Sequence, residues 1–492
     1  MTRTRDLRSY IAALEELGDL DIIDREVDPH LEVGAVIRRS YETTAPAPLF
    51  TGLKGCAPGH RILGAPGALS SAPGKPLARI ALSLGLPPEA GAREIVDALV
   101  QARNRTPVPP VAVDPSTAPC KQNILRGEAA SLDGFPTPLL HDGDGGPYVN
   151  TWGTIIARTP DGSFTNWSIA RIMMIDGKHM TGIVAIGQHI GNVWKQWADR
   201  GEPMPYALVQ GAGPAVPFVS GMPLPDGVEE TGYLGALLGE GIELVPCETN
   251  DLLVPADAEI VIEGHLSVER SAVEGPMGEF AGYRPSTTSM QPVYTIEAIT
   301  HRDDPIWPAV VEGEPIDEYH TATGLTLAAE VLTALRAADL PVTFAWAPFE
   351  TAVHTIVVTV RSDWRDHLPG MTTLQLAQRI TDVIDAQRLQ VMLPRIFVLD
   401  DDVDAADPRE LAWALATRVH PTARRIVRTG PILPLLTVYT PQERESATGP
   451  KVTYDALLPA PGDGRDTRSS FGHIYPPHIR ERVLAHEENR SL

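Results

Sequence analysis

Between residues 151 and 263 the chain breaks into short β-rich runs separated by clusters of Gly and Pro, and this constrains the fold more than any other feature. The runs are 151–157, 167–175, 181–186, 206–210, 242–246 and 259–263. Many short strands punctuated by turn residues predict a barrel or a sandwich. One helix interrupts them at 230–238, after the turn Pro225-Asp226-Gly227. On either side, helical and extended patterns alternate. Leu7, Tyr10, Ile11, Leu14 and Leu17 follow helical spacing, with Thr4 as N-cap and Gly18 as the stop. A second helix is predicted after Asp28, a strand at 49–51, and helices at 77–84 and 94–102. Pro107, Pro109, Pro110 and Pro115 mark 106–119 as an extended linker. The last third reads as helix 325–337, strand 355–360, helix 374–386, strand 395–399 and helix 409–416. That alternation predicts a compact α/β layer. A polar stretch, 459–470, precedes a final helix at 477–487 with Pro in its first turn.

Composition removes several classes of function. A 492-residue chain that is 43% hydrophobic can bury sizeable cores. Its 41 Lys and Arg stand against 63 Asp and Glu, and the net −22 repels phosphate backbones, so no nucleic acid partner is expected. An anionic substrate is still compatible, because one Arg can reverse the field inside a pocket. No apolar run approaches the roughly 18 residues of a membrane span, so no membrane partner is expected either. The polar start, Met1 to Asp6, is unlike a secretory leader, and a cytoplasmic location is expected. Cys56, Cys120 and Cys247 lack CxxC spacing and read as inert thiols in a reducing compartment.

Three polar clusters stand in otherwise apolar sequence: Asn166-Trp167-Ser168-Ile169-Ala170-Arg171, Gly187-Gln188-His189-Ile190, and Glu274-Gly275-Pro276-Met277-Gly278-Glu279-Phe280. Glu230 opens the helix that follows the Asp226-Gly227 turn. An amide oxygen (Asn166), an imidazole (His189) and a carboxylate (Glu230) suit a divalent ion of borderline hardness such as manganese. Taken singly each is ordinary: a hydrogen-bonded His at a strand end, a Glu favoured by a helix dipole. Gly275, Pro276 and Gly278 place Glu274 and Glu279 on a loop, which can turn both carboxylates into one pocket or leave both solvated. Two carboxylates beside an Arg can be driven to different proton affinities. Arg171 can clamp a carboxylate with its fork or make a surface ion pair. In a regular strand Asn166 and Ser168 share a face that Arg171 does not. If all three serve one site, the strand must bend near Ile169.

These clusters, read in order, resemble the UbiD family of prenylated-FMN-dependent decarboxylases, and within it the ferulate/phenylacrylate branch. The resemblance runs over nearly the whole chain. It is carried by NWSIAR at 166–171, GQHI at 187–190, SGMPLPDGVEETGY at 220–233, EGPMGEFAGY at 274–283 and WALATR at 413–418. It implies an α+β fold. A split β-barrel flavin-binding domain, 116–320, would lie between an N-terminal α/β domain, 1–115, and a C-terminal α/β dimerisation domain, 321–458. A tail helix would occupy 459–492. Homodimerisation through the C-terminal domain and tail is expected, as is a flavin prenyltransferase that supplies the cofactor.

The resemblance also implies roles for residues. Asn166, His189 and Glu230 match manganese ligands that hold the cofactor phosphate. Thr151, Ser168, Ile169, Ala170, Arg171, Gln188, His189, Ser220 and Met222 match positions that contact prenylated FMN. Trp167, Ser220, Met222 and Glu230 match a potassium site. A phosphate-contacting Lys of relatives aligns near Arg388. Arg171, Glu274 and Glu279 match the catalytic network: Arg171 orients the substrate carboxylate, Glu279 protonates carbon, and Glu274 tunes the pair. Losing CO2 from an unsaturated carbon leaves electrons that no side chain accepts, which calls for a cofactor. Around 428–432 an aromatic of some relatives is missing, and Thr323 replaces a larger aliphatic. With Met277, Gln188 and Leu435 as walls, this admits a heteroaromatic or other non-phenyl acid. Two further readings are a split-barrel flavin oxidoreductase, for which no GxGxxG fingerprint is found, and a non-catalytic flavin- or metal-binding protein, which the retained Arg171, Glu274 and Glu279 disfavour.

Overall fold

The structure, a computed structural model of the chain, describes residues 4–460 and 462–488. Residues 1–3 of the polar start, and residues 461 and 489–492 of the tail, lie outside the described residues. Among the described residues four sheets form. The first joins Leu20–Val27, Ala47–Leu53, Arg61–Gly64 and Ile306–Ala309. Its last strand comes from far along the chain and pairs parallel with Arg61–Gly64. The helix over Leu7–Leu17 starts at Asp6 and not at Thr4. Asp6 adjoins the first helical residue, so its carboxylate accepts the Ser9 amide at 2.8 Å, while Thr4 Oγ1 donates to the Leu82 carbonyl. The stop at Gly18 is as expected, with φ 73°.

The central sheet has nine strands. Its path runs Tyr148–Asn150, Ile172–Met174, His179–Gly182, Ser289–His301, Ile260–Glu274, Met204–Gln210, Thr154–Arg158, Thr165–Ser168, with Asn123–Arg126 added along Ser289–His301. The neighbours on this path are antiparallel. The two ends of the path do not pair, which leaves a curled half-barrel. The long hairpin at its centre carries register shifts after Glu263, Leu266 and Arg270, and such bulges bend and twist a strand. The expected single strand over 167–175 is two strands, broken at 169–171, where the predicted bend near Ile169 falls. Other elements differ from the sequence reading, among them the unexpected strands Asn123–Arg126 and Tyr148–Asn150. Ile260–Glu274 runs well past Glu263, Ser289–His301 was not expected, and neither was the helix His189–Ala198. Beyond Leu266 the strand Ile260–Glu274 turns half-exposed and polar, so its hydrophobic signal fades while the ladder continues. The helix buries only Ile190, Gly191, Val193 and Trp194, too short a stripe to stand out.

The C-terminal sheet runs Val342–Trp346, Thr355–Val360, Arg395–Asp400, Thr448–Asp455, Arg425–Pro431. Helices Glu318–Ala337, Thr373–Asp385 and Pro408–Arg418 accompany it, near the positions read from sequence. Glu318–Ala337 starts about two turns earlier than its apolar stripe suggests, because Asp317 and His320 form a capping box there. Its buried apolar residues join one large core that spans the helices Ala78–Ser83 and Ala92–Asn104, the central sheet and the C-terminal sheet. No described helix is long and apolar enough to cross a membrane. Cys120 is buried, and burial pushes its thiol up to about 12, which matches an inert role.

Candidate active site

Arg171 sits in the break between Thr165–Ser168 and Ile172–Met174, so its side chain is freed from strand alternation. Glu274 is the last residue of the long strand Ile260–Glu274, and Glu279 lies on the loop that follows. Arg171 Nε and Nη2 donate to the two Glu274 oxygens at 2.8 and 2.9 Å, a two-pronged fork. Its Nη1 donates to Glu279. Both carboxylates are buried, Glu274 at 1% and Glu279 at 5% exposure. Burial alone pulls the Arg171 guanidinium down, yet the Glu274 hydrogen bonds and charge outweigh it and hold the net shift upward. The Arg therefore stays charged. Tyr148 donates its hydroxyl to Glu274 Oε1 at 3.1 Å. Burial, reinforced by the Glu274 charge, pushes that phenol well up, which keeps it a donor.

The loop carrying Glu279 is pinned on both sides. Gly278 N–H donates to Asp144 Oδ1 at 3.0 Å, and Gly145 N–H to the Pro276 carbonyl at 2.7 Å. Gly278 packs on the His141 ring, where a Cβ would come within 2.7 Å. That ring is itself fixed, Nδ1 to Asp144 at 3.0 Å and Nε2 to the Glu312 carbonyl at 2.9 Å.

A second cluster lies at the other end of the same six-residue run. Glu230, buried at the first turn of Glu230–Leu238, accepts from Trp167 N–H at 3.0 Å and from Asn166 Nδ2 at 3.4 Å. His189 Nδ1 stands 3.9 Å from Glu230, and its Nε2 lies 3.0 Å from Asp226 Oδ1. Arg388 reaches the same Asp226 oxygen at 2.8 Å and donates to the Gly187 carbonyl. His189 and Arg388 hold the Asp226 carboxyl below its ordinary range. Asn166 Oδ1 and Ser168 Oγ are buried without a hydrogen-bond partner. A buried, unpaired amide oxygen costs free energy unless a donor or cation meets it. The Asn166 oxygen thus has a free acceptor site beside an imidazole and a carboxylate, a donor set compatible with a divalent ion. Among the described residues no group of three or more His, Cys, Asp or Glu forms a metal cage, and the set assembled here needs the Asn to count three.

The remaining residues named from sequence fall around these two clusters. Ala170 O accepts from Asn150 Nδ2 at 2.8 Å, and Thr151 Oγ1 accepts the Val310 amide. Ser220 Oγ bonds Thr154 Oγ1 at 2.9 Å. The carbonyl of the buried Met222 already accepts the Leu224 amide. Ile169 lies against Gly221, and Gln188 caps the helix His189–Ala198. Sequence reasoning missed Tyr148, Asp226, His141 and Asp144. Asp226 stands inside a quoted motif but reads there as a turn residue. The other three meet the site only through partners more than 100 residues away in the chain, Tyr148 at Glu274, His141 at Glu312 and Asp144 at Gly278, so no local signal reveals them.

Residues 11–99 match the 3-octaprenyl-4-hydroxybenzoate carboxy-lyase N-terminal domain, 111–315 its Rift-related domain and 320–456 its C-terminal domain. The chain belongs to the UbiD carboxy-lyase family. Among the relatives of this UbiD chain, pyrrole-2-carboxylic acid decarboxylase of Pseudomonas aeruginosa is 38% identical over 484 residues, 97% of this chain and 96% of that one. Ferulic acid decarboxylase 1 of Saccharomyces cerevisiae is 40% identical over 427 residues, 85% of this chain and 84% of that one. An evolved dimeric form of the UbiD-class enzyme HmfF from Pelotomaculum thermopropionicum, in complex with prenylated FMN, superposes with a TM-score of 0.78 at 27% identity, covering 94% of this chain and 97% of that one. Vanillic acid decarboxylase of Sedimentibacter hydroxybenzoicus shares the fold, with a TM-score of 0.84 at 24% identity over 99% of both chains. The UbiD assignment bears out the decarboxylase reading over the oxidoreductase and non-catalytic ones.

Proposed function

We propose that this chain removes CO2, reversibly and without oxidation, from an α,β-unsaturated or (hetero)aromatic carboxylic acid, with prenylated FMN, Mn2+ and K+ as its cofactors. The observation that carries the reading is Arg171 held between two buried carboxylates in a break of the central sheet. Prenylated FMN, when bound, supplies the electron sink for the charge left on carbon by departing CO2. Asn166 Oδ1, His189 and Glu230 would hold the metal at the cofactor phosphate, with Arg388 beside them. The unpaired Asn166 oxygen supports this set. Thr151, Ser168, Ile169, Ala170, Gln188, Ser220 and Met222 would line the flavin, and Trp167, Ser220, Met222 and Glu230 the potassium.

Charge balance assigns the proton. One guanidinium between two carboxylates sums to −1 in a buried site, and a substrate carboxylate raises this to −2. Low polarity magnifies such a like-charge penalty. Substrate binding therefore favours Glu279 in its neutral carboxyl form, the one bonded to Arg171 by a single contact. Arg171 orients the substrate carboxylate, while the Glu274 fork and Tyr148 keep the guanidinium still. When CO2 departs, Glu279 passes its proton to the carbon that lost it, and in the reverse direction takes it back. Each turnover consumes one proton, so Glu279 must be reloaded from solvent.

The full-length match to a pyrrole-2-carboxylic acid decarboxylase supports a heteroaromatic substrate, and the 40% match to a ferulic acid decarboxylase supports phenylacrylates. A homodimer is proposed as well. Phe471, Ile474 and Tyr475 of the tail are 41–52% exposed, an apolar run that a second copy would cover.

The test is production of the protein with a flavin prenyltransferase, mass spectrometry of the bound flavin, and CO2 release from a panel of pyrrole, furan and phenylacrylic acids. A modified flavin, turnover of at least one acid, and loss of turnover in Glu279→Gln are expected. Colourless protein, or full activity in Glu279→Gln, overturns the reading.

A further inference from the structure

Glu279 is held at its two neighbours in the chain, and the second hold leads away from the site. Phe280 stacks its ring on Tyr319 with centroids 3.7 Å apart and planes 11° from parallel. Its carbonyl oxygen lies 2.8 Å from His320 Nε2. Tyr319 and His320 both stand in the first turn of the helix Glu318–Ala337. The helix start is in turn fixed: Asp317 accepts the Gly313 amide at 3.0 Å and the Tyr319 amide at 3.0 Å, and pairs with Arg38. Asp317 and His320 are fully buried.

We propose that His320 is a positioning residue for the proton donor, holding Glu279 at Arg171 through the Phe280 carbonyl; this rests on the reading of Glu279 as that donor. A carbonyl only accepts, so Nε2 carries the hydrogen. In the neutral ring Nδ1 then accepts the Asp317 amide at 3.0 Å, and in the charged ring it donates to Asp317 Oδ1 at 2.9 Å. Both protonation states keep Nε2–H on Phe280. The titratable groups facing His320 are Asp317, Glu312 and His354; burial opposes its cationic form, and the Asp317 and Glu312 charges favour it. The hold is therefore indifferent to pH.

Helix capping does not account for this side chain. The cap uses Nδ1 alone, which leaves Nε2 without a part in it. Nε2 reaches outside the helix to the residue after Glu279. Gly278, the residue before, is bonded to Asp144. With both neighbours fixed, only the Glu279 side chain retains freedom to move between Arg171 and the reacting carbon.

The test is a pair of substitutions in the flavin-loaded enzyme. Asn places an amide near Nδ1, so His320→Asn keeps the cap and loses the reach to Phe280. Gln places its amide near Nε2, so His320→Gln keeps that reach. We expect His320→Asn to lower kcat about tenfold or more, with KM, flavin content and melting temperature unchanged, and His320→Gln to stay within about threefold of the parent. Wild-type kcat in His320→Asn overturns the proposal. So does an equal loss in His320→Gln, which shows that the hydrogen bond is not what matters, or a loss tracking melting temperature, which shows a scaffold role. Glu279→Gln run beside them separates the two readings: if it retains activity, the donor assignment itself fails.

Discussion

Gly278→Ala isolates the placement of Glu279 from its chemistry. A Cβ at Gly278 would stand 2.7, 2.8 and 2.9 Å from three atoms of the His141 ring, where ordinary contact begins at 3.4 Å. About 0.7 Å must therefore be found by movement of one partner. The ring cannot supply it cheaply, because Asp144 holds one nitrogen and the Glu312 carbonyl the other. The loop moves instead, and Glu279 is the next residue. A misplacement of about 1 Å at a reacting group costs on the order of 10²-fold in rate. A shift of about 0.7 Å then lowers kcat about 10- to 100-fold. KM should change little, because Arg171 is anchored separately by Glu274. The overpacking itself costs about 1–3 kcal/mol, small enough for the protein to stay folded. Initial rates of CO2 release, normalised to bound flavin, measure the effect, and a thermal melt checks the fold. Wild-type kcat refutes the claim that the loop is pinned. Adding His141→Ala gives the Cβ room, so the double variant should be no slower than His141→Ala alone. Additive losses refute the collision as the cause.

Glu274→Gln keeps an acceptor for Arg171 but removes the charge of the fork. Losing a charge-assisted bond worth about 1.5–3 kcal/mol predicts a kcat lower by about 10- to 100-fold, read by steady-state kinetics; an unchanged kcat sinks the orienting role. Asn166→Ala removes the unpaired oxygen, and Mn2+ retention after dialysis, read by electron paramagnetic resonance, should fall at least tenfold with the melting temperature intact. Equal retention excludes Asn166 as a ligand. Glu318 is fully buried, and burial pushes its carboxyl up to about 7, against the hydrogen bond from Tyr41. The folded state then holds a proton that the unfolded state releases above its ordinary value near 4.3, so this group subtracts stability as pH rises from about 4.5 to about 7. Glu318→Gln should flatten that part of the profile, measured as urea midpoints at pH 5 and pH 7.5; identical slopes in both proteins refute the assignment.

Much of the fold and half of the site could be read from sequence, and the division has a physical cause. The helix Thr373–Asp385 was legible because Ile380 and Ile384 repeat on one buried stripe. The run Asn166 to Arg171 was legible because its chemistry is local: three polar side chains in apolar sequence, usable together only if the strand breaks. The strand does break there, between Ser168 and Ile172. What the sequence hid was the means of support. The strand Ile260–Glu274 looked finished at Glu263 because its second half faces solvent on alternate residues, and that half carries Glu274 to Arg171. Tyr148, His141 and Asp144 sit in loop-like, Gly-rich sequence and acquire their roles only when the sheet curls.

The same division explains why the site tolerates its charges. A guanidinium and two carboxylates at the end of a regular strand would be solvated and worth little to one another. Here Arg171 leaves its strand through a break, Glu274 ends a strand bent by three register shifts, and the loop after it returns Glu279 to the same side. Burial follows from that geometry and makes the charge sum of the trio matter. In water an added anion would alter little, whereas beside carboxylates at 1% and 5% exposure the proposed mechanism has it met by a proton. The irregularities of the central sheet are thus what bring three ordinary ionisable side chains together out of water, which is the arrangement the proposed coupling of acid binding to proton loading requires.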